Sequence, residues 1–318
     1  MDAMHEVSRA FRAMGSDCSI RLVVDGGAGE AILERAIGTV TMLERRWSRF
    51  IADSELSQLN AHAGAPVFVS PETFEIVSLA IEAWRVTGGL FDPTMLDALI
   101  DVGYDTDFDE LARRRRSIDI GHLHASEGPA GVELDARSRM IITPPGLHLD
   151  LGGIGKGHAA DCVFEQVMGE GVVGACLDMG GDVRVGGATI GGGGWAVVID
   201  DPFRPGEDLA VLGVGEGSVT TSSRLRRRWS TGSGEAHHIL DPATSSPAAS
   251  DLASVTVVAS CASWGEVYAK AALVAGIERG AALIESAGLS ALFVGGDGDT
   301  TPVGAFDAFL VEGPTLDP

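Results

Sequence analysis

The run from Leu149 to Asp161, Leu-Asp-Leu-Gly-Gly-Ile-Gly-Lys-Gly-His-Ala-Ala-Asp, constrains this chain more than any other, because four glycines and one lysine separate a strand-like pattern from a helix-like one. Leu147, Leu149 and Leu151 alternate with His148 and Asp150, as in a half-buried strand. From His158 onward Val163, Phe164, Val167 and Met168 fall at helical spacing, and Gly169 and Gly171 close the helix. Glycine lets backbone approach a ligand closely, and the first turn of a helix presents unpaired N–H groups and a partial positive charge. With the ammonium of Lys156 added, the stretch is arranged to meet phosphate. Two known phosphate motifs fit it poorly. A P-loop needs Gly at 150 and Ser or Thr at 157, where Asp150 and Gly157 stand. Residues 155–160 read G-x-G-x-x-A with Asp178 farther on, but among 43 glycines such a match carries little weight. Taken alone, the stretch is also compatible with a plain turn that joins strand to helix.

At 318 residues and 45% hydrophobic, the chain can bury one large core or two modest ones. Its net charge of -22 argues against a nucleic-acid or membrane partner, since polyanions are repelled unless a local basic patch overcomes the field. The dense basic run Arg113 to Arg116 reads as a solvated helix or loop end. Cys18, Cys162, Cys176 and Cys261 are scattered, with no C-x-x-C pair, so free buried thiols are expected. No segment approaches a membrane span and Met1 to Arg12 lacks an apolar core, so a cytoplasmic location is the expectation.

Phe11 to Val24 reads as one strand, and Glu30 to Trp47 as a helix with Leu33, Ile37, Val40, Leu43 and Trp47 on one face. Asp53 is the candidate cap of a short helix. Ser70, Pro71 and then Gly88-Gly89 bracket a longer one. Short strands are expected at 132–134 and 140–143, a pair around a Gly-Gly-Asp turn at 174–187, one at 195–199, and two more around 213–217. Val255 to Ala259 follows as a strand, then a helix from Trp264 to Ala275 with a shorter one to Ala287, and closing strands at 289–294 and 305–311. Irregular alternation with many short β elements predicts an α+β fold rather than a doubly wound sheet.

Seven segments, taken together and in order, resemble the ApbE-type family of FAD:protein FMN transferases. They are Ala-Met-Gly-Ser at 13–16, Trp-Ser-Arg-Phe with Asp-Ser-Glu-Leu at 47–56, Gly-Gly-Leu-Phe-Asp-Pro-Thr at 88–94, the glycine stretch at 150–157, Gly-Gly-Asp-Val-Arg-Val at 180–185, His-Ile-Leu-Asp-Pro at 238–242, and Ser-Val-Thr-Val-Val-Ala at 254–259. The resemblance implies an ApbE-like, T-fold-related arrangement of mixed sheets and packed helices, with residues 1–318 as one unit or as two subdomains sharing an FAD cleft. It implies that FAD is a substrate, that its pyrophosphate is split, and that FMN passes to a Ser or Thr hydroxyl of an acceptor protein with release of AMP. Met14, Phe50, Leu90, Phe91, Asp92, Asp150, Lys156 and Leu240 match the flavin-binding positions, Phe50 standing where the family often has tyrosine. His238 is the candidate base, since imidazole titrates near neutral pH, and His237 beside it points elsewhere if the segment is extended. Hydrolysis of FAD to FMN and AMP, and flavin binding without turnover, are the competing functions.

The family's magnesium site, as the resemblance implies it, uses the carbonyl of Gly153 and an aspartate and a threonine one turn apart in the last long helix. Those two positions read Glu266 and Lys270 here. Glutamate offers oxygen to a hard cation, whereas an ammonium has no lone pair to give. Three arrangements are open to such a pair: Lys270 taking the place of the metal with Glu266 fixing it, magnesium held nearby through Glu266 and phosphate oxygens, or an ordinary i, i+4 surface pair. The first predicts catalysis by Lys156, Lys270 and His238 with reduced dependence on Mg2+. Ser222-Ser223-Arg224 and Thr244-Ser245 also depart from the family at positions commonly held by glycine.

Overall fold

The computed structural model describes residues 4–113, 123–232 and 234–311, which leaves Arg114, Arg115 and Arg116 of the basic run outside the described residues. Eight strands form one sheet in the order His5–Ala13, Ser16–Val24, Gly174–Met179, Asp182–Gly187, Gly217–Ser223, Leu252–Ala259, Ser290–Gly295 and Thr300–Val303. Every neighbouring pair is antiparallel. The fold is α+β.

Both faces of this sheet are covered, and the alternation of side chains shows by what. Ile20, Leu22, Val24, Ala175 and Leu177 point to the helices Gly29–Trp47 and Gly155–Gly169, while Val23 and Cys176, one residue out of phase, point to the hairpin Trp195–Asp200 and Asp208–Val214. Farther along, Val255, Val257, Ala291 and Phe293 pack under the helix Ala262–Ser286, whereas Val258, Leu292 and Val294 face the hairpin. A strand buried at every position, as Leu252–Ala259 is, needs this cover on both sides. No helix of the described residues is long and apolar enough to cross a membrane.

Several expectations change in physical detail. The stretch 11–24 is two strands of a hairpin, because Met14 and Gly15 both take positive φ, 51° and 65°, as a two-residue turn requires. Ser54, not Asp53, caps the short helix, its side chain accepting from Ser57 N. Residues 147–151 form no strand: Leu149 and Leu151 are buried as their spacing implied, but the backbone of Leu149 is hydrogen-bonded by the side chain of Asn60, which accepts from its N–H and donates to its carbonyl, both at 2.8 Å. The closing strand expected at 305–311 is instead a short 3-10 turn, Phe306–Phe309, preceded by the edge strand Thr300–Val303 that the sequence pattern did not reveal. The late helix, by contrast, breaks at Gly276 and continues to Ser286 as its pattern implied, and the φ of 77° at Gly276 is accompanied by Asp251 Oδ1 accepting from Ile277 N at 3.1 Å.

Two contacts position the site. Asp161 of the central helix accepts from Ala262 N and Ser263 N at 2.8 Å each, capping the late helix. One turn earlier Gly157 meets the same helix end so closely that an added Cβ would lie 2.4 Å from the carbonyl oxygen of Ala262. Those neighbours are backbone and cannot swing aside. Gly157→Ala is therefore expected to cost about 1–3 kcal/mol of stability through overpacking, read from urea unfolding; a loss below about 0.5 kcal/mol, the range of ordinary surface changes, would show that the helices simply slide apart.

Candidate functional site

Where the Met14 turn, the Gly88-Gly89 turn, the glycine stretch, the late helix and the segment around His238 come together, they enclose a cavity of about 460 Å³, a size typical of small-molecule sites. Met14, Phe50, Leu90, Phe91, Asp92, Asp150, Gly153, Lys156, His238, Leu240 and Lys270 all line it. Glu266 stands just behind, 3% exposed, and touches the site through Lys156.

One side of the cavity is built from aromatic and apolar groups. The helix Pro71–Val86 ends at Gly88 and Gly89, with φ of 61° and 83°, and the reversal turns Leu90, Phe91 and Asp92 inward. Asp92 is held by its own turn: Oδ1 accepts from Thr94 N at 2.8 Å and Thr94 Oγ1 at 2.6 Å, and Oδ2 accepts from the Ser126 hydroxyl. Asp150 pairs with Arg49 Nε at 3.0 Å. The Arg49 guanidinium lies over both Phe50 and Tyr104, 4.2 and 4.6 Å from their ring centroids. At this mouth Phe50 is 42% exposed, a flat apolar surface facing solvent next to a cation.

The other side is ionic. Lys156 Nζ donates to Asp182 Oδ2 and to Glu266 Oε1, the latter at 3.1 Å, and Glu266 Oε2 accepts from Gly157 N at 2.9 Å. The lysine that the sequence presents as a free ammonium among glycines is thus clamped between two buried carboxylates. Glu266 and Lys270 are not a surface pair, and the partner of Glu266 is Lys156 rather than Lys270. Lys270 reaches the cavity beside Gly153, where an added Cβ would sit 2.7 Å from its Nζ. Burial foremost, with Lys156 and Arg227 adding, pushes the Lys270 ammonium below the ordinary lysine value, against the opposing pull of Glu266 and Asp150.

His238 faces the cavity and His237 does not. Burial, then the positive charges of Arg227 and Lys270, hold the His238 imidazole neutral, well below the ordinary 6.5. Its Nδ1 is buried without a hydrogen-bond partner among the described residues. His158, stacked on Trp47, and His237 are likewise pushed down by burial foremost. Below 6.5 the unfolded chain takes up protons that these folded imidazoles refuse, so stability present above 6.5 is lost as pH falls through it. Urea midpoints at pH about 7.5 and about 5.5 are expected to show a lower value at the acid pH, and equal midpoints would contradict it.

The sequence profile of the ApbE family matches residues 14–293, a span that contains every one of these groups. The chain belongs to the ApbE family. It is 31% identical over 310 residues to the FAD:protein FMN transferase of Treponema pallidum, the alignment covering 92% of this chain and 85% of that one. The FAD:protein FMN transferase of Klebsiella pneumoniae is 29% identical over 88% of this chain and 86% of its own. Among solved structures, the ApbE protein of Thermotoga maritima superposes with a TM-score of 0.84 at 25% identity, covering 97% of this chain and all of that one, 100%. Pseudomonas stutzeri flavinyl transferase ApbE, in its apo form, gives 0.82 at 24% identity over 99% of this chain and 100% of its own, which speaks for the fold.

The ApbE resemblance implies magnesium, and the side chains do not fit it. Both oxygens of Glu266 are engaged, by Lys156 and by Gly157 N, and the ammonium of Lys270 fills the space over Gly153. Among the described residues no three His, Cys, Asp or Glu side chains group as metal ligands. A hard cation requires several oxygens around it, and about 4 Å from an ammonium it would meet repulsion on the order of 4 kcal/mol at an effective dielectric near 20.

Several lining residues of this ApbE chain escape a reading of its sequence, Arg49, Glu44, Tyr104 and Arg227 among them. Arg49 lies inside the Trp-Ser-Arg-Phe landmark and could have been singled out there. Glu44, which accepts from Met14 N at 2.6 Å, and Tyr104 carry no local signal. Arg227 sits in a run of three arginines, and only its φ of 50° and its place in the cavity wall set it apart. Asp182, behind the wall, was present in the Gly-Gly-Asp-Val-Arg-Val landmark without an evident partner.

Proposed function

We propose that this chain is an FAD:protein FMN transferase, working as one unit over residues 1–318. It takes FAD as substrate, splits its pyrophosphate, joins FMN to a Ser or Thr hydroxyl of an acceptor protein, and releases AMP. The observation that carries this reading is one cavity lined both by the aromatic and apolar side chains of Phe50, Leu90, Phe91 and Leu240 and by the cations Lys156, Lys270 and Arg227. Such a cavity suits a planar ring system joined to a diphosphate.

The acceptor hydroxyl oxygen attacks the phosphorus on the FMN side. A new P–O bond forms, the bond to the AMP phosphate breaks, and AMP leaves with the bridging oxygen. The hydroxyl proton passes to His238, which is neutral and therefore able to receive it. Lys156, clamped by Asp182 and Glu266, holds the glycine turn against the late helix, and the positive end of the cavity offsets the charge spread over the phosphate oxygens. Action in the cytoplasm is part of the same proposal, and cell fractionation checks it.

Incubating the purified protein with FAD and a flavin-carrying redox subunit, then separating products by mass spectrometry, tests the reading. Acceptor heavier by FMN, with AMP in equal amount, is the expected result. Free FMN and AMP would replace transfer by hydrolysis, and intact bound FAD would reduce the protein to a flavin binder.

A further inference from the structure

Five cations line the cavity, and they differ in what answers their charge. Arg12 pairs with Asp17 and Asp109 at 3.1 and 2.7 Å, Arg49 with Asp150 at 3.0 Å, and Lys156 with Asp182 and Glu266. Arg227 makes contact with neutral oxygens, its Nη2 donating to Gly15 O at 3.3 Å and Ser16 Oγ at 3.2 Å. Lys270 makes no hydrogen bond or ion pair among the described residues. A partly buried ammonium left in this way is costly unless a counter-charge completes it.

We propose that Lys270 and Arg227 together neutralise the pyrophosphate of FAD in this cavity, so that FAD is held without a divalent metal ion. The assignment rests on the flavin reading above and adds to it which groups meet the diphosphate. A pyrophosphate diester carries one negative charge on each phosphorus, and the cavity offers two cations that form no ion pair with a carboxylate among the described residues. Both line the same cavity as His238. Position supports the count. Lys270 Nζ lies over Gly153, in the turn where backbone approaches a ligand, and the carboxylate one helical turn away is spent on Lys156 and Gly157 N. Arg227 is held in the left-handed region, φ 50°, a conformation that a non-glycine residue keeps only when its surroundings impose it. A guanidinium fork and a compact ammonium are the two protein groups best suited to phosphate oxygens.

The test measures FAD affinity by calorimetry in excess EDTA and in millimolar MgCl2, for the whole chain and for Lys270→Met, Arg227→Met and Lys270→Asp. The wild-type affinity is expected to agree within about twofold between the two conditions, and each methionine variant to bind about 10- to 100-fold more weakly in both, the loss of one charge-assisted hydrogen-bonding group. In Lys270→Asp the site gains a carboxylate where the ammonium was, so binding lost in EDTA is expected to return with MgCl2, which also shows that the variant is folded. Loss of wild-type affinity by more than about tenfold in EDTA, restored by MgCl2, would overturn the proposal, as would methionine variants that bind like wild type. FAD bound tightly without metal, in a Lys270-dependent manner, but released intact would support it while removing the transferase reading. No binding of FAD under either condition would overturn both.

Discussion

Lys156→Met is expected to destabilise the protein by about 3–5 kcal/mol, the usual penalty for removing one partner of a buried charge cluster. The side chains of Asp182 and Glu266 are 2% and 4% exposed, and Lys156 is the cation that reaches both. Without it two carboxylates remain in the interior with no ion-pair partner among the described residues, and methionine supplies the volume but none of the compensation. The deficit belongs to the charges rather than to packing. Adding Glu266→Gln to the same chain is therefore expected to recover part of the loss, since the amide oxygen still accepts from Gly157 N while one buried charge disappears. Urea unfolding of the single and double variants measures both steps. A single-variant loss below about 1 kcal/mol, in the range of exposed pairs, would mean that the cluster is open to water and does not hold the two helices together.

His238→Gln is expected to slow transfer by about 10²- to 10⁴-fold, the usual share of a positioned general base, while FAD affinity changes little, because a neutral ring is exchanged for a neutral amide. The pH profile carries the same claim independently. A base works when deprotonated, and burial, then Arg227, Lys270, His237 and Lys156, all favour the deprotonated imidazole. Activity is thus expected to stay level from neutral pH upward and to fall only well below 6.5, the ordinary histidine value. Initial rates of AMP release across that range decide it. A rate that climbs between pH 6 and pH 7, about one unit around the ordinary value, would show that His238 titrates normally and is not held neutral by the cavity.

The parts of the site that a sequence reading reached are those with a local cause. Gly88-Gly89 is a turn because adjacent residues must take positive φ, and Ser70 with Pro71 starts a helix because a side-chain oxygen and a fixed φ act within one turn. The family landmarks lie on such segments, and for that reason Met14, Phe91, Asp150, Lys156 and His238 could be named before any fold was known. The alternation at 147–151 shows the limit of the same logic: the burial was legible, but the strand was not there, since Asn60, 89 positions away, takes the backbone bonds that a neighbouring strand would have made.

By itself, then, the amino-acid sequence determined the α+β class and the glycine turn, through periodicity and backbone preference, and, through short contiguous landmarks, the membership of the ApbE family and part of the cavity lining. Only the tertiary structure decided how the charges are shared. Lys156 meets Asp182 from 26 positions away and Glu266 from 110, and those pairings leave Lys270 and Arg227 without an ion-paired carboxylate among the described residues. Coulomb interactions act between whichever groups the folded backbone brings within a few ångströms, not between neighbours in the chain, and burial then multiplies their strength. Two lysines that look alike in the sequence therefore end in different surroundings, one bracing helices and the other facing the cavity.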